Sequence, residues 1–331
     1  MNEFEIIKNY FQIITNNNPS ALNLNDDVFF DKKNKLVLSM DTYNEGIHYH
    51  NFMYPKLIIK KILRSSISDL ICKGVKPKYF FLSGSGNKKY FTKKNLKLIS
   101  KSLNQEQKKF DIKLSGGDTV FSKKSSFTVV SVGYSNKIIK RNNVKKSDDI
   151  YVTGNLGDSY IGLKVLKKQI NINNKLNNYF IKKYFLPNLP IKLQKYLNKF
   201  ANSSIDISDG LFSDMKKLIN NQKYGFIINV DKIPISSNLH RYISKSNHKV
   251  LNLISRGDDY QVLFTSSKTK RSYIKKLSKR INQKISLIGE ISNRAKEFQI
   301  FQNGKLLKRL NYEGYYHNFW KVKYCLLCLF L

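Results

Sequence analysis

The chain has 331 residues, enough for about two domains of ~150 residues each, and 41% hydrophobic against 25% charged residues excludes a disordered polymer. Lysine and arginine outnumber the acids 59 to 23, a formal charge of +36. The excess runs through every segment instead of gathering on one element. No helix-turn-helix, zinc-finger or RNA-recognition signature accompanies it, so no nucleic-acid partner is expected.

Along the chain, Phe4, Ile7, Phe11 and Ile14 have the spacing of an opening helix with one apolar face. A short buried strand is predicted at 36–41, a helix at 55–73, a strand at 79–82, a helix at 93–109, and strands at 112–114 and 127–133, the last rich in β-branched residues. The polar run 137–149 marks a boundary, giving an N-terminal domain of residues 1–136 and a C-terminal domain of residues 137–331. Beyond it, strands are predicted at 150–154, 204–207, 226–230, 260–265 and 285–291. Helices are predicted at 157–167, 177–201 and 211–220, with another between the last two strands. Alternating strands and helices in both halves predict an α+β chain of two layered domains.

Cys72, Cys325 and Cys328 cannot make a disulfide framework, which fits a reducing compartment. The opening carries Glu3 and Glu5 where a signal peptide carries positive charge. Residues 324–331 are the one strongly apolar run, far short of the ~20 residues of a membrane helix. The C-x-x-C spacing of Cys325 and Cys328 has no second ligand pair beside it, and a packed tail is the plainer reading. A cytoplasmic protein with no membrane partner is expected.

With only 23 acids, their placement is informative. Asp26 and Asp27, Asp41, Asp69, Asp118, Asp206 and Asp209, and Asp258 and Asp259 sit in small or apolar runs instead of lysine-rich surface. A carboxylate beside a core strand is costly without a cation or several donors. Any one of these aspartates is accounted for by a turn or helix cap, but the group reads as a divalent-metal site. On a helix Asp69 shares a face with Ser65, Ser66 and Cys72, away from Leu63, Ile67, Leu70 and Ile71. Oxygen donors with no His/Cys cluster favour Mg²⁺, which keeps waters and takes phosphate oxygens. No GxxxxGK[ST] loop is present, and Gly116-Gly117-Asp118 is the better phosphate candidate.

The ordered series Asp26-Asp27, Ser39-Met40-Asp41, EGIHY at 45–49, SDL at 68–70, KGVKP at 73–77, GGDT at 116–119, IYVTGNLGD at 150–158, IDISDGL at 205–211, GDDY at 257–260 and GYYH at 314–317 resembles thiamine-monophosphate kinase, of the aminoimidazole ribonucleotide synthetase superfamily. The match runs from Asn25 to His317. The resemblance implies ATP-dependent phosphorylation of thiamine monophosphate to thiamine diphosphate, with several Mg²⁺ ions. It puts Asp27, Ser39, Asp41, Asp69, Asp118, Asp206 and Asp209 on metal-ligand positions. Gly117, Asp118, Arg141 and Ser208 fall on ATP positions, and His48, Asp258 and Tyr315 on thiamine-phosphate positions. It further implies a homodimer that pairs the N-terminal sheets, with active sites in the clefts between domains.

The acceptor is a phosphate monoester whose second pKa lies near 6, so its attacking oxygen is mostly deprotonated at pH 7 and no general base is required. The departures are Asn23 and Asn25 in place of glycines, Met40 for Thr, Asp148 for Gly, Gln261 for Glu, and Asn318 shifting an expected Phe to Phe319. The rival readings are another ATP-using enzyme of the same superfamily and a basic, non-catalytic nucleic-acid-binding protein.

Overall fold

The structure, a computed structural model, describes residues 3–295, 297–307, 314, 315, 317 and 319. The elements run α1 (Glu3–Ile6), β1 (Phe29–Asp31), β2 (Leu36–Asn44), α2 (Pro55–Cys72), β3 (Pro77–Gly86), α3 (Lys93–Phe110), β4 (Lys113–Leu114), β5 (Thr119–Phe121) and β6 (Ser126–Tyr134). They continue with β7 (Asp149–Thr153), α4 (Asp158–Leu166), α5 (Asn174–Phe185), α6 (Ile191–Leu197), β8 (Ala201–Asp206), α7 (Leu211–Ile219), β9 (Gly225–Asn229), α8 (Ser237–Ile243), α9 (Val250–Ile254), β10 (Val262–Ser266), α10 (Arg271–Arg280), β11 (Ile285–Ser292), β12 (Phe298–Gln302) and β13 (Lys305–Leu306).

Two mixed sheets result. The first has the order β1-β2-β6-β3-β4 with β5 also on β3, and every one of its strands lies between residues 29 and 134. The second has the order β13-β12-β9-β11-β7-β10-β8 and draws only on residues 149 to 306. In β2 the residues alternate, so Val37, Ser39 and Tyr43 are buried while Met40 and Thr42 face out. The inward row looks at α2, which packs on β2 and β6 and on its other side meets β8, α5 and α6.

That double contact explains the composition of α2. Ile58, Ile59, Ile62, Leu63, Ile67, Leu70 and Ile71 are buried, and so are Ser65, Ser66, Ser68 and Cys72, because small side chains let a strand or helix come close. Over residues 61–73 Asp69 alone escapes full burial, so the small-residue face expected around it is real, but protein covers most of it.

Three expectations need correction. Residues 3–15 form a short helix followed by a π turn and a 3-10 turn, with Phe4, Phe11, Ile13 and Ile14 exposed, so no apolar face is buried there. The single helix expected at 177–201 is two, α5 and α6, because Pro187 and Pro190 interrupt the backbone ladder. The strand expected at 112–114 keeps only Lys113 and Leu114. The 324–331 tail with Cys325 and Cys328, and Asn318, lie outside the described residues.

Candidate active site

Acids from both halves meet around the Asp69 end of α2. The Ser39 hydroxyl donates to Asp69 Oδ2, and the Tyr43 hydroxyl donates to Asp41 Oδ2 at 3.2 Å, both from the inward row of β2. Asp41 is hydrogen-bonded to Asp69, and Asp206, at the end of β8, lies within electrostatic reach of both. Burial is the main cause of their common upward shift: Asp41 is pushed to about 6, Asp206 to about 7 with Asp214 adding repulsion, and Asp69 well above the carboxylate range. None of the three has a Lys or Arg ion-pair partner among the described residues.

Buried carboxylates in want of positive charge, with hydroxyl and carboxylate oxygens as the donor set, fit Mg²⁺. No three His, Cys, Asp or Glu side chains among the described residues converge on one ion-sized point. A partial set of oxygen donors is compatible with Mg²⁺, which usually takes the rest of its shell from water and phosphate oxygens.

A second group lies beside it. The Lys73 ammonium is fully buried, 2.8 Å from Asp26 Oδ1 and 3.0 Å from Asp27 Oδ2, and donates to the Ser204 carbonyl on β8 at 2.8 Å. Arg141 forks onto both oxygens of Asp27, with its Nε 2.9 Å from Oδ2, while its backbone N–H donates to Asp26 Oδ2. The expected metal ligand Asp27 and the expected ATP contact Arg141 thus satisfy each other here.

Asp209 and Ser208 follow Asp206 on the turn into α7. Lys217 reaches Asp209 and also Asp214 Oδ1 at 2.9 Å. Asp214 Oδ2 accepts from the N–H groups of Asp209 and Gly210, so a buried acid at the start of α7 shapes the turn that displays the expected ligands. Gly210 is obligatory, since a Cβ there would lie 2.2 Å from the Ser255 carbonyl oxygen.

The 257–260 loop hangs on the same turn. The N–H of Asp258 donates to the Ser208 carbonyl and that of Tyr260 to Ile207, both at 2.8 Å. Asp258 and Tyr260 both hold positive φ, +63° and +49°, a strain of about 1–3 kcal/mol each in a non-glycine residue. His48 stands opposite: its Nδ1 accepts from the Asn44 N–H at 3.0 Å, and its ring is 5.5 Å from that of His317 and 5.7 Å from that of Tyr43. Burial, with His317 and Lys61 beside it, pushes His48 down to about 4, so the ring is neutral at pH 7. The Tyr315 N–H donates to the Asp209 carbonyl at 2.9 Å, and its ring lies 5.0 Å from that of His317.

Gly117 and Asp118 lie on the exposed loop that leads into β5 of the first sheet. Gly117 is packed so tightly on β3 that a Cβ would meet Leu82 O at 1.9 Å, while the Asp118 carboxylate accepts from Thr119 N–H at 2.7 Å. Asp118 makes no contact with another expected acid among the described residues.

Residues 24–135 match the family described as AIR synthase related protein, N-terminal domain. A thiamine-monophosphate kinase from Buchnera aphidicola subsp. Schizaphis graminum is 36% identical over 317 residues, 92% of this chain and 95% of that one. This chain belongs to the thiamine-monophosphate kinase family. A second Buchnera relative, from Acyrthosiphon pisum, is 35% identical over 92% of this chain and 95% of its own length. The solved structure of AaThiL complexed with AMPPCP and TMP superposes with a TM-score of 0.82 at 25% identity, covering 96% of this chain and 97% of that one. Membership of the thiamine-monophosphate kinase family makes the chain a phosphotransferase of two-domain α+β fold.

Four residues in this candidate site escaped the sequence reading as functional side chains: Lys61, Lys73, Asp214 and Lys217. The three lysines were hidden by abundance, since one buried ammonium among so many exposed ones has no compositional signal. The one available clue was position: Lys61 lies in the apolar stretch of α2, and Lys217 is one turn beyond Asp214.

Proposed function

We propose that this chain transfers the γ-phosphoryl group of ATP directly, in line, to the phosphate of thiamine monophosphate, giving thiamine diphosphate and ADP. The observation that carries the reading is the meeting of Asp41, Asp69 and Asp206, from three elements far apart in sequence, as buried acids with no ion-pair partner among the described residues, whose burial outweighs the attraction of Lys73 for Asp69 and Asp206. Bound Mg²⁺ supplies the charge that offsets repulsion between an anionic acceptor and an anionic triphosphate.

The chain's own residues do the rest. Asp27, Ser39, Asp41, Asp69, Asp118, Asp206 and Asp209 offer oxygens to the ions. Gly117, packed without a side chain on β3, leaves backbone N–H room for phosphate, and Arg141 and Ser208 complete the ATP side. Arg141 exchanges its Asp27 partner for phosphate oxygens, which frees Asp27 for a cation. His48, neutral, and Tyr315 flank the acceptor, and Asp258 opposes its cationic thiazolium or accepts from its aminopyrimidine. No side chain is assigned as general base, because the acceptor phosphate is already ionised at neutral pH. The residues 1–136 and 137–331 act as the two domains of this cleft, in a cytoplasmic homodimer joined through the first sheet.

The experiment is a coupled assay of ADP formation with ATP, Mg²⁺ and thiamine monophosphate, run beside aminoimidazole precursors. ADP formation dependent on thiamine monophosphate is expected. Turnover of an aminoimidazole precursor in its place would overturn the substrate assignment.

A further inference from the structure

Lys61 projects from the middle of α2 among Ile58, Ile62 and Leu63, and its side chain is 2% exposed. Burying an ammonium is costly unless its donors are matched, and here the matching is specific. Nζ lies 2.6 Å from Asp258 Oδ1, 3.8 Å from the centre of the Tyr184 ring and 3.5 Å from the Tyr184 carbonyl oxygen. The Tyr260 hydroxyl donates to the same Oδ1 at 3.1 Å. Both partners take one oxygen. Asp258 Oδ2 is left without a partner among the described residues, on a side chain 28% exposed.

Asp258 sits in a left-handed conformation that few residues other than glycine, asparagine and aspartate adopt, on a loop fixed by backbone hydrogen bonds to Ile207 and Ser208. The ammonium arrives from the other half of the chain, 197 residues earlier. It ties the loop to α2 and engages one carboxylate oxygen, leaving the other for a further partner.

We propose that Lys61 is a positioning residue for the phosphoryl acceptor: it clamps Asp258 Oδ1 so that Oδ2 is presented to the cationic or amino group of that substrate. The inference rests on the reading of Asp258 as part of the acceptor site. It adds a residue that acts through Asp258 and does not itself touch the substrate.

The test is a double-mutant cycle with K61M, D258N and the K61M/D258N pair. KM for thiamine monophosphate, KM for ATP and the thermal midpoint are measured for each. K61M is expected to raise the acceptor KM by roughly tenfold or more, with KM for ATP within about twofold of wild type. The double variant is expected to match D258N, because removing the clamp changes nothing once the clamped charge is gone.

Additive effects in the double variant, or a K61M defect confined to kcat or shared equally by the ATP KM, would overturn the proposal. If K61M fails to fold while K61M/D258N folds, an orphaned carboxylate is the cause and the pairing stands. Failure of both shows that Lys61 serves the core and overturns it. An unchanged acceptor KM in D258N removes the acceptor-site reading itself, whereas a raised KM in D258N with none in K61M removes the Lys61 proposal alone.

Discussion

At Asp206 the conflict between function and stability is concrete. Its folded pKa of about 7, and about 6 for Asp41, lies above the ordinary 3.8 because burial disfavours the anion. The native state therefore binds more protons than the unfolded chain between about pH 4 and 7, and the stabilisation present at low pH is lost as pH rises through that window. His48, at about 4 against 6.5, acts in the opposite sense: its contribution is lost as pH falls from 6.5 towards 4. In the absence of divalent cation, D206N is expected to have a midpoint several degrees above wild type at pH 8 and a smaller excess at pH 5, where only part of that window has been crossed. Scanning calorimetry in chelator at the two pH values checks this, and a lower midpoint for D206N at pH 8 would show that the carboxylate is compensated by something else. The same substitution is expected to lower turnover by at least about a hundredfold, since one interaction with the transferring group is worth several kcal/mol. Gel-filtration behaviour should stay unchanged.

At the scale of elements, α2 carries the design. One face packs on β2 and β6, the other meets β8, and at its end Lys73 binds Asp26 and Asp27 while donating to the backbone of β8. Breaking a buried ion pair by removing one partner costs about 3–5 kcal/mol. K73M is therefore expected to lower the thermal midpoint by roughly 5–15 °C, with K73M/D26N recovering part of the loss in calorimetry. No recovery would mean that Asp27 and the Ser204 carbonyl, and not Asp26, hold the ammonium.

The sequence made α2, the strand carrying Ser39 and Asp41, and the turn at 206–210 legible because burial there follows a simple period and each acid interrupts an apolar run. It hid the break between α5 and α6, where an apolar pattern outweighed two prolines, and it hid Lys61 and Lys73, whose significance lies in what closes over them. The departures from the family pattern fall where the backbone accommodates them. Asn23 takes up positive φ in place of glycine, and Asp148 accepts from Asn202 within the turn before β7, while Gln261 accepts from Thr153 and donates to the Asn188 carbonyl.

For the whole molecule, the outward face of the first sheet carries exposed apolar side chains: Met40, Phe81 and Val120 fall on its outward rows and are exposed. Exposed apolar side chains gathered on one sheet face are a feature of association surfaces, and we propose the same face of a second copy as their cover. Sedimentation velocity is expected to give a dimer for wild type and a monomer for V120D combined with M40D. A dimer in that double variant would place the interface elsewhere. Among the described residues no helix is long and apolar enough to cross a membrane, and the large positive charge is spread over both halves.

The account turns on whether acids from both sheets act on the same ions, and calorimetric titration of Mg²⁺ into the protein with a non-hydrolysable ATP analogue and thiamine monophosphate measures that directly. Wild type is expected to bind Mg²⁺ only with the nucleotide present, and D41N, D69N and D206N are each expected to weaken that binding at least about tenfold. Wild-type Mg²⁺ affinity in all three variants would contradict a shared site.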